Sequence, residues 1–278
     1  GGLGYRRGAP AESGNDAVIS PTWVPGNMFG QQFATPGALR LPVRLTPTGQ
    51  TTALTLRIRG AAEALFVADD GALQTGSDMP ITGSGTLRLQ HASGPLLAWL
   101  DNPLQTTATE VTVTPPQRVP LAGREQVLRI SLATPRLLSL QTRVPLATWF
   151  TTPSLPPHVA LHPAGLRESI LLPAGETRLW LKPIGNASLD GELTVLALSE
   201  HVITDGTAES TVLAPGSGRL YRFTVTAAGH VGIGIRASSD LVTGRLYDST
   251  GQPRGEGLVQ MPQLTAGQYY LAVQTPLD

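Results

Sequence analysis

Apolar side chains recur at every second position in many short segments, and this alternation constrains the fold more than any other feature of the sequence. The segments Leu54–Ile58 and Val231–Ile235 are clear examples. Alternation places one row of side chains on each face of a strand, so that one face is buried and the other is solvated. No long window shows the three- and four-residue spacing of an amphipathic helix. We therefore expect an all-β chain of antiparallel sheets packed face to face.

A coarse internal repeat divides the chain into three units at a spacing of roughly 80–90 residues. Each unit opens with a glycine followed by two short strands, and each closes with a glycine, an apolar strand and a proline. The opening glycines are Gly37, Gly123 and Gly218, and the closing ones are Gly94, Gly175 and Gly267. This period suits one small sandwich per unit. The repeat thus predicts three tandem antiparallel β-sandwich domains of jelly-roll or immunoglobulin-like type.

The predicted domains cover residues 36–115, 116–200 and 201–278, and residues 1–35 form an extended N-terminal arm. This arm is rich in glycine but carries the large side chains Trp23, Phe29 and Phe33, which are candidates for binding a partner. A segment without a core of its own becomes ordered when another surface holds it. The arm either lies along its own sandwich as an edge strand or docks on a neighbouring subunit by strand addition.

The balance of charge excludes several classes of partner. Lysine plus arginine and aspartate plus glutamate each number 20, so the net charge is zero and nucleic acid is not an expected partner. A transmembrane helix needs about 18 consecutive apolar residues, and no apolar run in the sequence is close to that length, so no direct membrane span is expected. The absence of cysteine excludes disulfides and thiolate metal sites. Every basic residue except Lys182 is an arginine, which we interpret as a GC-rich, bacterial coding background.

Residues 210–278 carry three segments that occur together in one known family. They are Tyr221–Arg236 (YRFTVTAAGHVGIGIR), Gly244–Gln252 (GRLYDSTGQ) and Leu264–Gln274 (LTAGQYYLAVQ). This region resembles the bacterial pre-peptidase C-terminal (PPC) domain, a β-sandwich appended to secreted peptidases and other exported proteins. The upstream units are weaker relatives of the same pattern. The resemblance implies export and a non-catalytic accessory role, and it supplies no ligand.

Motifs for catalysis are missing, so we expect a protein that is not an enzyme and needs no cofactor. The sequence contains no G-x-S-x-G elbow and no phosphate-binding glycine loop that opens a helix. The acidic segments at Asp69–Gly71 and Asp248–Gly251 are explained by hairpin turns, in which aspartate bonds to the backbone and glycine adopts a positive φ. A surface calcium site with ligands from Asp240 and Asp248 is the alternative.

Histidine and tryptophan provide the remaining candidates. His158 and His162 lie four apart in a predicted strand, about 13 Å at a rise of 3.3 Å per residue, which is too far to chelate one ion. Trp99 and Trp180 occupy the same place in two closing strands. Alternation places Trp99 with apolar neighbours in a core, whereas Trp180 shares a face with charged residues. Trp180 is therefore a candidate for contact with a partner.

These observations predict a non-catalytic, exported bacterial structural or assembly subunit that acts through sandwich surfaces and a docking arm. An accessory module that binds carbohydrate or protein is the alternative. The expected partners are other protein subunits or a cell-surface polymer, and the expected location is secreted, periplasmic or at the cell surface. The chain begins with Gly1, as a removed signal peptide or trimming would leave it.

Overall fold

A computed structural model describes residues 6–7, 17–18, 28–45, 54–102, 108–152, 158–184, 188–239 and 241–276. All the regular elements in these ranges are β-strands, so the predicted all-β fold of several sandwiches is confirmed. Among the described residues there is no helix long and apolar enough to cross a membrane.

The first sandwich consists of two five-stranded sheets. Sheet A has the order β1-β3-β10-β5-β8 and sheet B the order β2-β4-β9-β6-β7. Its strands are β1 (Arg6–Arg7), β2 (Ala17–Val18), β3 (Met28–Phe33), β4 (Gly37–Val43), β5 (Leu54–Arg59), β6 (Ala62–Ala68), β7 (Leu73–Thr75), β8 (Asp78–Ile81), β9 (Gly85–His91) and β10 (Gly94–Asp101).

The second sandwich pairs a five-stranded sheet with a four-stranded one. Sheet C has the order β11-β13-β18-β15-β16, and sheet D the order β12-β19-β14-β17. Its strands are β11 (Thr109–Val113), β12 (Gln117–Gly123), β13 (Gln126–Leu132), β14 (Arg136–Thr142), β15 (Leu146–Thr151), β16 (His158–His162), β17 (Leu166–Leu172), β18 (Gly175–Pro183) and β19 (Leu189–Ala197).

Both sandwiches follow the same jelly-roll winding. When β3 to β10 are counted from one to eight, sheet A reads 1-8-3-6 and sheet B reads 2-7-4-5. Counting β12 to β19 in the same way gives 1-8-3-6 for sheet D and 2-7-4-5 for sheet C. Eight strands wound into two such sheets define a jelly roll.

The third sandwich keeps this winding in a shortened form. Sheet E has the order β20-β21-β28-β24-β25, and two short ladders, β22-β27 and β23-β26, form the opposite layer. In the described residues this layer has no counterpart of the central hairpin, strands four and five, of the other two sandwiches. The strands are β20 (Glu200–Val202), β21 (Gly218–Val225), β22 (Gly229–His230), β23 (Ile233–Gly234), β24 (Thr243–Asp248), β25 (Pro253–Glu256), β26 (Val259–Gln260), β27 (Gln263–Leu264) and β28 (Gly267–Gln274).

The structure corrects two of the predicted domain limits. Strand β3 lies inside the predicted arm 1–35, yet it pairs along its whole length with β10 and is part of sheet A. Strand β11 lies inside the predicted domain 36–115, yet it pairs with β13 of the second sandwich. That pairing is parallel, because the chain reverses twice between β11 and β13. Edge strands β1, β2 and β20 also pair in parallel with their neighbours.

The predicted closing strands are not equivalent in the fold. Strand β10, which carries Trp99, is the eighth strand of its jelly roll, whereas β18, which carries Trp180, is the seventh of the next. The repeat is therefore real at the level of winding, since both sandwiches share it, but its sequence markers fall at different positions.

The inward rows of side chains form the cores. The alternation of Leu54–Ile58 is confirmed, since Leu54, Leu56 and Ile58 are buried and the intervening residues are half-buried. Sheets A and B share one apolar cluster, and sheets C and D share another. Each fully buried leucine or isoleucine contributes about 1.5–3 kcal/mol to folding.

We expect Gly85→Ala to destabilise the first sandwich, because β9 approaches β6 closely at this position. A Cβ on Gly85 would meet the carbonyl oxygen of Val67 and lie 2.6 Å from Phe66 Cζ and 2.8 Å from Ala68 Cα. The expected loss in the free energy of unfolding is about 1–3 kcal/mol, measured by urea denaturation. Gly83→Ala is the matched control, since nothing lies within 4 Å of its Cβ; equal losses in both variants would contradict the prediction.

Candidate functional sites at the sandwich junctions

The two phenylalanines predicted as partner contacts are core residues. Phe29 and Phe33 on β3 are 2% and 3% exposed, and the Phe33 ring stacks on His91 with centroids 3.7 Å apart. They are inaccessible to a partner unless the first sandwich opens, so this part of the prediction is wrong. The sequence did contain a signal for this strand, because Phe29, Gln31 and Phe33 stand at every second position. In the structure all three side chains are buried. Trp23 lies outside the described residues.

The calcium candidate Asp248 has its oxygens engaged by the turn that follows it. Oδ1 accepts hydrogen bonds from the backbone N–H groups of Thr250 and Gln252 at 2.9 and 3.0 Å. Oδ2 accepts two from Arg254, at 3.0 and 2.7 Å. These bonds hold the pKa of the carboxyl below its usual value against a desolvation that opposes them. The carboxylate closes the hairpin and is not a free metal ligand; Asp240 lies outside the described residues.

Three tryptophans form a ladder at the junction between the first and second sandwiches. Trp99 on sheet A contacts Trp149 on sheet C with ring centroids 5.0 Å apart, and Trp149 stacks on Trp180 at 5.8 Å and 9°. Apolar side chains from β3, β10, β15 and β16 surround them, so the outer face of sheet A packs on the outer face of sheet C. Trp180 is half-buried and fills this junction, which makes it a poor candidate for contact with another molecule.

The sole lysine of the chain is sealed beside this ladder. Lys182 is 0% exposed, and its Nζ lies 5.3 Å from the centroid of the Trp99 ring. Within the described part of the chain, this Nζ has no hydrogen-bond partner. Burial lowers the pKa of Lys182, and the negative charges of Glu125 and Asp101 oppose that shift. Burial likewise raises the pKa of Glu125.

An ionic network on sheet A borders the same junction. Arg57 Nε donates to Asp101 Oδ2 at 2.9 Å, and Arg57 Nη1 donates to Asp78 Oδ1 at 3.0 Å. Arg59 also donates to Asp78 and places its guanidinium 5.5 Å from the centroid of the Trp99 ring. The junction therefore has an aromatic centre and a charged border, and its two halves come from separate sandwiches.

The junction between the second and third sandwiches is apolar at one end and open at the other. Leu137 and Leu171 on the outer face of sheet D pack against Leu220, Tyr270 and Ala272 of sheet E. Farther along the same two strands the sandwiches diverge and leave a polar cleft of about 300 Å³. We call this space the junction cleft; it is lined by Ser139, Gln141, His158, Arg167, Glu168, Ser169, Gly216, Ser217, Arg245, Gln274 and Thr275.

His162 lies near this cleft and is buried. Its Nε2 is 3.0 Å from Thr148 Oγ1, within hydrogen-bond distance, and its Nδ1 is 3.6 Å from Glu168 Oε1. Burial, reinforced by the charge of His158, lowers the pKa of His162 to about 4. The His158 side chain is exposed, and its ring lies 5.3 Å from that of Phe150.

Sequence reasoning missed Lys182, Glu125 and the cleft residues other than His158. A lysine in the largely apolar second half of β18 was a usable signal, since it is the only lysine of the chain. The cleft gave no such signal, because its walls come from strands of two sandwiches whose approach is not encoded in local spacing.

Comparison with known proteins adds little to this description. No protein-family model matches the chain, and no curated protein matches it, so the resemblance to the PPC domain stays a prediction. Among solved structures, the CUB1-EGF-CUB2 domains of rat MASP-1 align at 7% identity and a TM-score of 0.24, covering 66% of this chain and 100% of that chain. A chain in the X-ray structure of the entire lipid-containing bacteriophage PM2 aligns at 12% identity and a TM-score of 0.21, covering 90% of this chain and 87% of that chain. At these TM-scores the strand order alone defines the class, a set of tandem jelly-roll sandwiches.

We expect the variant Lys182→Met with Glu125→Gln to be more stable than the natural protein. Lys182 and Glu125 are buried charges that act on each other without a direct ion pair in the described residues. Replacing buried opposite charges by uncharged groups of similar volume is neutral or stabilising by about 1–4 kcal/mol. Glu125→Gln alone is expected to lower stability, because it leaves the buried ammonium with less compensating charge. Urea unfolding at neutral pH measures both effects. A double variant less stable than Glu125→Gln would show that the charge of Lys182 stabilises the junction.

We expect stability to fall as the pH decreases from 6.5 to about 4, because the folded state resists protonation of His162. In the unfolded chain His162 takes up this proton near the ordinary histidine pKa of 6.5, so protonation favours unfolding until the lower pKa of the folded state is reached. A shift of this size corresponds to about 3 kcal/mol. His162→Gln removes this contribution, whereas His230→Gln, at an exposed position, leaves it in place. Unfolding at a series of pH values tests this; identical profiles for the natural protein and His162→Gln would contradict it.

Proposed function

We propose that this chain is a non-catalytic structural subunit that assembles with other protein subunits through the outer faces of its sheets. The observation that supports this proposal is the junction between the first two sandwiches, in which two jelly rolls join through apolar side chains on the outer faces of sheets A and C. Jelly rolls occur in capsid and lectin domains, but a fold alone does not define a function. The proposal therefore depends on which outer sheet faces are free to pack against another subunit.

Sheet B offers the face on which a further sandwich would pack. Sheets B and C hold the same position in the winding, 2-7-4-5, and the outer face of sheet C is covered by sheet A. The equivalent face of sheet B carries Leu65, Leu73 and Arg88, and Leu73 is 65% exposed. A sheet from a neighbouring subunit would cover this face in the way that sheet A covers sheet C.

The N-terminal segment provides a second means of assembly in this proposal. Strand β3 belongs to the first sandwich, so a docking arm is restricted to residues before Met28. Strands β1 and β2 pair in parallel at the edges of the chain's own sheets A and B, so as a docking arm they would exchange these edges for the same edges of a neighbouring subunit. The proposed location is the cell surface, the periplasm or the extracellular medium of a bacterium, as the resemblance to the PPC domain implies.

We expect the molar mass in size-exclusion chromatography with light scattering to rise with protein concentration. Leu73→Glu is expected to shift this equilibrium to the monomer, because it buries a charge in the proposed contact. Val212→Glu is the matched control, since Val212 is 96% exposed in a segment outside the strands. A monomer at every concentration, or equal effects of the two variants, would contradict the proposal. Deleting residues 1–27 tests the arm without removing β3.

A further inference from the structure

We propose that the junction cleft binds an acidic saccharide unit, that is, a sugar ring that carries a carboxylate. The cleft lies between sheets D and E, whereas the proposed assembly face is on sheet B, so the two proposals are independent. Ligand sites are found preferentially where domains meet.

The floor of the cleft changes from apolar to polar along two neighbouring strands. Residues of β14 and β17 pair directly as Leu137–Leu171, Ser139–Ser169 and Gln141–Arg167. These positions are two apart, so all six side chains lie on the outer face of sheet D. The third sandwich packs on the leucine pair. The serine pair and the Gln141–Arg167 pair then line the space where the two sandwiches separate.

Several polar groups around this space have unused hydrogen-bonding capacity. Ser139 is 4% exposed, and its Oγ accepts a hydrogen bond from Gln141 Nε2 at 3.2 Å, which leaves its own hydroxyl hydrogen to donate. Across the described ranges, the side chains of Arg167, Ser169 and Gln274 have no hydrogen-bond or ion-pair partner. Hydroxyl, amide and guanidinium groups that converge on one space match a ligand whose own hydroxyls both donate and accept.

One positive charge of the cleft, that of Arg167, can bind a carboxylate on a ligand, whereas the other charges of the lining offset one another. Arg245 Nε donates to Glu256 Oε1 at 3.3 Å, and the lining carboxylate of Glu168 interacts with the positive charge of Arg245, since its neighbour His162 is uncharged at pH 7. Arg167 is the lining cation without a carboxylate of its own in the described structure. A guanidinium binds a carboxylate through two parallel hydrogen bonds, which makes Arg167 the group that selects an acidic over a neutral sugar.

The size of the cleft limits the ligand to about one ring. Its volume of about 300 Å³ lies at the lower end of the range for ligand pockets. A ligand this small, held in an open cleft by a few polar contacts, is expected to bind with a dissociation constant on the order of 1 mM. Such an affinity suits a protein that contacts many units of an acidic polymer at once.

The test is a titration of the full chain with glucuronate, glucose and acetate, followed by NMR saturation transfer. Glucuronate is expected to bind more tightly than glucose, and acetate is expected to bind most weakly. Arg167→Gln is expected to weaken glucuronate binding roughly tenfold, to the level of glucose. Arg236→Gln, which removes an exposed arginine of the third sandwich outside the lining of the cleft, is the matched control and is expected to leave binding unchanged.

A second variant tests the cleft independently, in case Arg167→Gln does not fold. Ser169→Ala removes one hydroxyl from a half-buried position and is expected to weaken glucose and glucuronate by the same factor. The proposal is overturned if glucuronate gives no saturation transfer at a concentration ten times the expected dissociation constant, or if acetate binds as tightly as glucuronate. It is also overturned if Arg236→Gln weakens glucuronate binding as much as Arg167→Gln does. Light scattering separates this inference from the assembly proposal, because Arg167→Gln leaves the assembly face intact and Leu73→Glu leaves the cleft intact.

Discussion

The contact between two sheet faces at the tryptophan ladder determines how the rest of the chain is arranged. A strand of sheet A or C at this contact packs on the other sheet of its own sandwich and also on the neighbouring sandwich. It must therefore bury both of its faces, so it cannot alternate between apolar and polar residues. Strand β10 is buried on both faces from Leu96 to Asp101, and β15 from Leu146 to Phe150. Strand β5 has one face in the core and keeps its alternation. The loss of alternation thus marks the strands on which another sandwich packs.

The fold class follows from local spacing, whereas the partners of each strand do not. Alternation correctly predicted an all-β chain and the inward residues of β5. It failed at β3, because the predicted arm was judged by its glycine content and not by the row Phe29, Gln31 and Phe33. It failed at β11, because that strand adds to the sandwich that follows it, and the sequence records only order along the chain. Pairing between strands is a non-local property that depends on the winding.

Trp180 and Lys182 show why polar neighbours mislead an exposure argument. Both project from the face of β18 that carries charged residues, and a polar face normally meets water. Here the face meets the first sandwich, and Lys182 is buried without a hydrogen bond to the described residues. Burying a charge with imperfect compensation costs free energy. The ladder of indole rings and the apolar side chains around it offset that cost, since large aromatic surfaces dominate the energetics of an interface.

The two junctions differ in a way that separates structural from binding roles. Aromatic rings and buried charges close the first junction, so a ligand cannot enter it without parting the sandwiches. The second is held by leucine and tyrosine at one end, and its polar floor stays open at the other. Three sandwiches joined by one closed and one partly open junction can stay packed together and still present a polar cleft to solvent. The Leu137–Leu171 pair thereby holds the third sandwich close to the polar end of the same two strands. The first polar pair of the cleft, Ser139–Ser169, follows two residues along each strand, and Gln141–Arg167 follows two residues farther.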